Sequence, residues 1–402
     1  MIAPQSADEV SAAVKDACAN GKRIAIEGGA TLQIGRPANG CDVTLSLRRL
    51  NKLEAYEFSD LTVSVQAGMT VAAFGRILQE HQQFVPLDAP LAKKATVGGT
   101  LAGGWLGPRR HYYGRSRDFV IGCKVVLADG TPANAGGMVV KNVTGYDMSK
   151  LYIGSLGTLA IFVQCNFKTL PSPKAKRVLL CRLPENTRSR AIAQASGLHI
   201  APSVAVAVNG FARVIDGEDG ADGRLFLMFE GTSTVIERAT RDVRSALGKA
   251  GVPETVIVDR GVSETFGRLL DAYTRSIGER SVTYRSTGLA DRVVARSAEM
   301  LQLGREHHLH PEMITDLMNG DVTLRVTDRD LHKFSSRIQH FDEAIHAAFP
   351  NAAIIAASDL LRGRLNVWGE LPMAIEKMRR LKMQFDPEGT LNPGRFIGDP
   401  GL

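Results

Sequence analysis

Glycine limits what this chain can fold into more than any other residue. Thr96-Val97-Gly98-Gly99-Thr100-Leu101-Ala102-Gly103-Gly104-Trp105 holds two glycine pairs, and Gly28-Gly29 and Gly154-Ser155-Leu156-Gly157-Thr158 add two more glycine turns. Glycine makes up 40 of the 402 residues, above the usual share of roughly 7%. A backbone without Cβ atoms can turn sharply or lie against a flat, extended partner. Glu27-Gly28-Gly29-Ala30-Thr31 follows a short strand-like run, so its amides can converge on an anion such as a pyrophosphate. Taken alone, one Gly-Gly pair reads first as an ordinary tight turn. The sequence lacks G-x-x-x-x-G-K-[ST], which disfavours an NTPase. It also lacks G-x-G-x-x-G after a strand, which disfavours a nicotinamide Rossmann site. Three glycine-rich stretches in one N-terminal region point to a bulky dinucleotide such as FAD.

Around these stretches the periodicity alternates between helix and strand. Ser6-Ala7-Asp8-Glu9 reads as a capping box before Val10, Ala13, Val14 and Ala17, with Asn20-Gly21 as the stop. Val43, Leu45 and Leu47, then Leu61, Val63 and Val65, alternate as strands do. Thr70 caps a helix carrying Val71, Phe74, Ile77 and Leu78. Phe119–Leu127 reads as a strand closed by the Asp129-Gly130 hairpin signal, and Leu159–Phe167 as another. Leu170-Pro171-Ser172-Pro173 is the first strong breaker. Beyond it, strand-like Val178–Leu183, Val204–Val208, Leu225–Phe229 and Val322–Val326 alternate with helix-like Val235–Leu247, Leu331–Ala348 and Pro372–Gln384. The expected fold class is α+β: residues 1–173 as one domain, 174–384 as antiparallel sheet with helices on one side, and 385–402 as a segment returning to the first.

Composition excludes several function classes. Apolar residues make up 44% and are spread along the chain, which argues against disorder. Basic residues exceed acidic ones by seven without a run of five or an aromatic–basic face, so no nucleic-acid partner is expected. Five scattered cysteines without CxxC disfavour a disulfide framework, a zinc knuckle or an iron–sulfur run. His307-His308-x-His310 is the one histidine cluster; without complementary carboxylate or cysteine ligands it reads as a solvated helix end, and no metal is expected. Met1 to Glu9 lacks a signal-peptide pattern and no apolar segment reaches 18 residues. The expected compartment is the cytoplasm, with any membrane contact peripheral and through partners.

The motifs together resemble the FAD-binding domain of the vanillyl-alcohol oxidase/PCMH-type flavoproteins, and within them the FAD-binding subunits of bacterial glycolate oxidases. The matching strings are Ala95–Gly99, Gly107-Pro108-Arg109-Arg110, Gly114–Gly122, Val140-Lys141-Asn142-Val143-Thr144-Gly145-Tyr146-Asp147, Gly154–Leu159 and Leu391-Asn392-Pro393-Gly394-Arg395. The resemblance implies a PCMH-type, two-subdomain FAD domain followed by an α+β cap domain. It implies that Glu27, Gly28, Gly29, Ala30, Thr31 and Leu32 wrap the pyrophosphate. Pro86, Leu87, Thr96, Gly98 and Gly99 would line the ribityl chain and ring, with Gly103, Gly114 and Asp118 following the flavin. Gly157, Leu159 and Ile161 would sit by the adenine half, and Asn392 and Arg395 would close the site. Covalent attachment in such proteins uses His or Cys; here the loop offers Ala30 and Thr31, which implies dissociable FAD.

The implied chemistry is oxidation of a 2-hydroxy acid such as glycolate, with hydride passing to the flavin, a proton to a base, and the carboxylate held by arginine. Arg109, Arg110, Arg325 and Arg364 are the carboxylate-binding candidates, the last two in strand-like runs; Arg109-Arg110 reads equally as a contact to flavin phosphate or as a docking surface. His111, Tyr112 and Tyr113 either stack on the flavin or pack. Related catalytic subunits carry H-x-G-D-G-N-x-H, whereas this chain has Leu317-Met318-Asn319-Gly320-Asp321 without either histidine. That departure fits a subunit working beside a separate catalytic flavin subunit and an iron–sulfur subunit. Three readings stay open: a participating FAD subunit, a flavin relay or scaffold, and a stand-alone dehydrogenase.

Overall fold

Ser6 accepts the Glu9 amide and the Glu9 carboxylate accepts the Gln5 amide, so the first helix starts where its free N–H groups find oxygens. The computed structural model describes residues 1–38, 40–138, 146–210, 223–252, 255–275 and 278–398. In chain order the first elements are α1 (Ala7–Ala19), β1 (Ile24–Glu27), β2 (Val43–Ser46), β3 (Leu53–Glu57), β4 (Thr62–Gln66), α2 (Val71–Gln79), β5 (Gln83–Phe84), α3 (Val97–Ala102), α4 (Arg110–Tyr113), β6 (Val120–Val126), β7 (Pro132–Gly136), α5 (Ser149–Tyr152), β8 (Ile161–Lys168) and β9 (Leu170–Pro171). β1 and β2 pair in parallel beside α1, and β3-β4-β8-β6-β7 form a five-stranded antiparallel sheet. α1, β1, β2, β6 and β8 close one core around Val10, Val14, Leu45, Val126 and Ile161.

Next come β10 (Ala175–Leu183), α6 (Arg188–Ser196), β11 (Val204–Asn209), β12 (Gly223–Gly231), α7 (Ser233–Lys249), β13 (Thr255–Val258), α8 (Val262–Thr274), β14 (Ser281–Thr287), α9 (Val293–Glu306), β15 (His310–Asp316), β16 (Asp321–Thr327), α10 (Leu331–Ala348), β17 (Ala353–Ala357) and α11 (Asp359–Arg364), with α12 (Ile375–Phe385) last. Their strands build an eight-stranded sheet in the order β13-β10-β12-β11-β15-β16-β14-β17, antiparallel at every pairing. Strand alternation sends Leu179, Leu227, Met313, Leu324 and Tyr284 into one core with α6, α7, α9, α10 and α11. The expectation of helices on one side needs a correction. α8 serves the opposite face, where its Phe266 ring meets the Arg109 guanidinium.

The chain groups into two units, Met1–Gly107 with Arg115–Ser172 and the stretch from Leu371 onward, and Pro108–Gly114 with Pro173–Glu370. Two placements differ from the boundaries read in the sequence. Pro108–Gly114 lies with the second unit rather than inside a 1–173 domain, because Arg109 and Arg110 find their carboxylate partners there. α12 lies with the first unit, because Lys382 donates to the Thr158 carbonyl at 2.8 Å and pairs with buried Asp386.

Candidate functional site

In the first unit four separated stretches converge: 27–32, 94–104, 154–158 and 390–395. Thr96 caps α3 by accepting the Gly99 amide at 3.2 Å. The glycine-rich stretch is therefore in part a short helix, from Val97 to Ala102. Gly98 is forced by packing, since a Cβ there would stand 2.7 Å from the Ala67 Cβ. Gly29 is tighter: its Cβ would meet the Lys94 carbonyl oxygen at 2.0 Å, and that of Gly28 the Thr96 hydroxyl at 2.3 Å. A Gly103 Cβ would press on Leu32 at 2.8 Å. Several glycines assigned to ligand contact are thus required by loops lying against one another. Gly99 is exposed, and a Cβ there would meet the Thr96 hydroxyl at 2.8 Å.

The tail is bolted into the same place. Ile24 donates to the Thr390 carbonyl and Asn392 returns a bond to the Ile24 carbonyl, at 2.8 and 2.9 Å. The Asn392 side chain accepts from the Ile26 amide and donates to the Leu156 carbonyl, both at 2.7 Å. Gly157 (φ 69°) fits because any side chain would strike the Asn392 amide. Leu156 and Gly154 donate to the Ala102 and Leu101 carbonyls at 2.8 and 2.9 Å, tying this turn to α3.

The other residues named from the sequence fall as follows. Glu27 ends β1 and accepts the Leu47 amide. Pro86 and Leu87 are buried beside Asp88, whose carbonyl takes the Trp105 indole N–H at 2.7 Å. Asp118 is exposed and accepts the Arg115 amide. Leu159 is buried, and Arg395 is half-buried with its amide on the Asn392 carbonyl. Ile161 is a correction: it is 1% exposed in the hydrophobic core, so its side chain offers a ligand no surface. Gly114, at φ 98°, ends α4 in the second unit. Residues 140–145 of the Val140–Asp147 string lie outside the described residues.

The cradle suits a dinucleotide. Among the described residues the amides of Gly29, Ala30, Thr31 and Leu32 donate to no protein acceptor, and Ala30 holds the left-handed φ of 52° that an amide nest needs. Ser155 Oγ is buried without a partner, a group sequence reasoning missed although its turn was singled out. Such a buried hydroxyl calls for a ligand or water. No histidine or cysteine stands in the 27–32 loop, in keeping with non-covalent FAD.

A second polar concentration lies on the α8-facing side of the eight-stranded sheet, entirely within the second unit. Glu230, Asp316, Asp321 and Arg325 occupy alternate positions there, all buried. Arg109 pairs with Glu230 at 3.5 Å, as does Lys176 at 3.4 Å. Arg110 pairs with Asp321 at 2.8 Å and approaches Asp316 at 3.9 Å; Arg285 also binds Asp321. Arg325 binds Glu312 across the β15–β16 pair. Asn319 donates to the Pro108 carbonyl at 2.9 Å and to Asp316 at 2.8 Å. Burial raises Asp316 to about 6, against the pull of Asn319 and Arg110. Thr283 and Thr323 Oγ1, Asp321 Oδ1 and Glu230 Oε2 are buried there without partners. Three of the four arginines named from the sequence share this face. Arg364 does not: it is exposed at the end of α11, a helix rather than a strand. His111 and Tyr113 pack rather than lie open: His111 sits between the Pro108 and Pro202 carbonyls, and Tyr113 lies under Arg109. Among the described residues no cluster could hold a metal ion.

Comparison with known proteins agrees with this reading. Residues 1–136 match the family described as FAD binding domain, and residues 370–396 match the C-terminal domain of FAD linked oxidases. The glycolate oxidase subunit GlcD of Bacillus subtilis is 27% identical over 99% of this chain and 88% of its own length. The glycolate oxidase subunit GlcE of Escherichia coli is 36% identical over 35% of this chain and 40% of its own. A D-lactate dehydrogenase of Anaerostipes hadrus is 26% identical over 98% of this chain and 89% of its own. Substrate-bound p-cresol methylhydroxylase superposes with a TM-score of 0.74 at 16% identity, covering 98% of this chain and 87% of that one. A 4-ethylphenol oxidase of Gulosibacter chungangensis does so with 0.71 at 15%, covering 98% and 88%. Cradle and both domain matches together make the chain a FAD-dependent oxidoreductase, with the fold of the PCMH-type flavoprotein structures.

Proposed function

We propose that this chain is the FAD-binding subunit of a glycolate oxidase or dehydrogenase complex, taking part in oxidation of glycolate or a related 2-hydroxy acid to the 2-oxo acid. The observation that carries the reading is the buried face of the second unit, where arginines stand among oxygens without partners. A buried sheet face is ordinarily apolar; one so charged suits a small anionic substrate. Glu27–Leu32, Thr96, Ser155 and Gly157 would hold the FAD, which supplies a two-electron acceptor. Arg109 and Arg110 offer planar forks to a substrate carboxylate. Thr283 and Thr323 offer hydroxyls for its oxygens. Asp316 has a proton affinity suited to taking the hydroxyl proton near neutral pH.

Relatives named as glycolate oxidase subunits, D-lactate dehydrogenases and D-2-hydroxyglutarate dehydrogenases support the substrate class. Two of them are subunits by name, which supports partner subunits in one complex; in this reading a catalytic flavin subunit and an iron–sulfur subunit take the electrons. Among the described residues no helix is long and apolar enough to cross a membrane; in this reading the chain works in the cytoplasm, and any membrane contact runs through those partners. The test is anaerobic addition of glycolate or D-lactate to the FAD-loaded chain, first alone and then with partner subunits. Bleaching of the flavin spectrum without partners is expected. Bleaching only with partners would make the chain a relay, and none in either case would overturn the reading.

A further inference from the structure

Arg48 is absent from the cofactor residues read in the sequence, yet it grips the turn expected to take the FAD pyrophosphate. Its Nε donates to the Gly28 carbonyl at 2.9 Å and its Nη2 to the Gly29 carbonyl at 3.2 Å. In a trans peptide the N–H points away from the C=O of the same unit. Holding the Gly28 and Gly29 oxygens toward one guanidinium therefore turns the Gly29 and Ala30 amides the other way. Those amides, with Thr31 and Leu32, donate to no protein acceptor among the described residues. Gly28 and Gly29 are kept side-chain-free by Thr96 and Lys94, which fixes where the turn lies but not which way its peptides face.

We propose that Arg48 is a positioning residue that presets this turn as an anion-binding nest, acting on the pyrophosphate from behind through two peptide units. A charged fork bound to both carbonyls also polarises the peptides and strengthens their N–H groups as donors. The Arg48 side chain borders a cavity of about 270 Å³ that it shares with Asn51, Thr70, Lys93 and Lys94. Because both lysines remain when Arg48 is replaced, its loss removes the fork while local positive charge persists. The cavity also leaves room for a small guanidinium to re-enter.

The inference rests on FAD binding in the cradle, which uptake of FAD by the parent protein checks by itself. FAD affinity is measured by flavin fluorescence for the parent, Arg48→Ala and Arg48→Lys, each with and without methylguanidinium, and melting temperatures are recorded alongside. Arg48→Ala is expected to bind FAD about tenfold more weakly, the scale of one charge-assisted hydrogen-bond pair. Methylguanidinium restores most of that loss. Arg48→Lys binds between the two and does not respond, since one ammonium cannot span both carbonyls in the same fork. Should Arg48→Ala fold poorly, Arg48→Lys bound as tightly as the parent would overturn the proposal. So would a well-folded Arg48→Ala with parental affinity, or one that methylguanidinium leaves unchanged.

Discussion

Asn392 shows how one side chain can fasten three remote stretches. Its backbone sits at φ 45°, a left-handed conformation that asparagine tolerates better than most residues. Its amide bridges the Ile26 N–H and the Leu156 carbonyl while its own N–H closes on Ile24. It is 2% exposed, so truncation leaves one donor and one acceptor buried without partners. Asn392→Ala should therefore cost about 2–4 kcal/mol in chemical denaturation. It should also weaken FAD binding, because β1 and the Gly157 turn lose their common anchor. A variant within 0.5 kcal/mol or so of the parent, the range of neutral surface changes, would mean that water replaces both bonds. The sequence pointed to Asn392 as a cofactor contact; the structure gives its side chain a main-chain role.

At the scale of elements, legibility followed the locality of the signal. α1, α2, the Asp129-Gly130 hairpin and α10 are set by caps, turns and periodicity within a few residues, and each lies where those cues put it. α3 was unreadable because Gly98 and Gly99 weaken a helix locally; the Thr96 cap and the closeness of Ala67 make it one. The polar face of the second unit was readable only in part. Arg109, Arg110 and Arg325 stood out as arginines, but Glu230, Asp316 and Arg285 gain meaning only through pairings with residues remote in the sequence. At the turn between β15 and β16, burial raises Asp316 above an unfolded carboxylate. The folded state thus binds more protons between about pH 4 and pH 6, and stability contributed by this group falls as pH rises through that window. Asp316→Asn should flatten that fall in a series of thermal melts, whatever its effect at one pH. An unchanged slope would show that Asp316 ionises as freely in the fold as outside it.

Across the whole molecule the cofactor cradle is a long-range object. Its parts come from 27–32, 94–104, 154–158 and 390–395, so none can hold a dinucleotide before the tail has returned to β1. FAD binding should therefore stabilise these stretches jointly, by a free energy that grows with the logarithm of ligand excess, about 2.7 kcal/mol at a hundredfold excess over Kd. Hydrogen exchange offers the readout, because amides that find no acceptor in the protein gain one from the ligand. Gly29 to Leu32 should slow most on addition of FAD, and the 390–395 segment should slow with them although it contributes few open donors. α7 and α10, packed against the other face of the second unit's sheet, should exchange as before. Protection confined to residues 27–32, with the tail unaffected, would mean that the C-terminal segment closes the fold without sensing the cofactor. The coupling through Asn392 would then be structural alone.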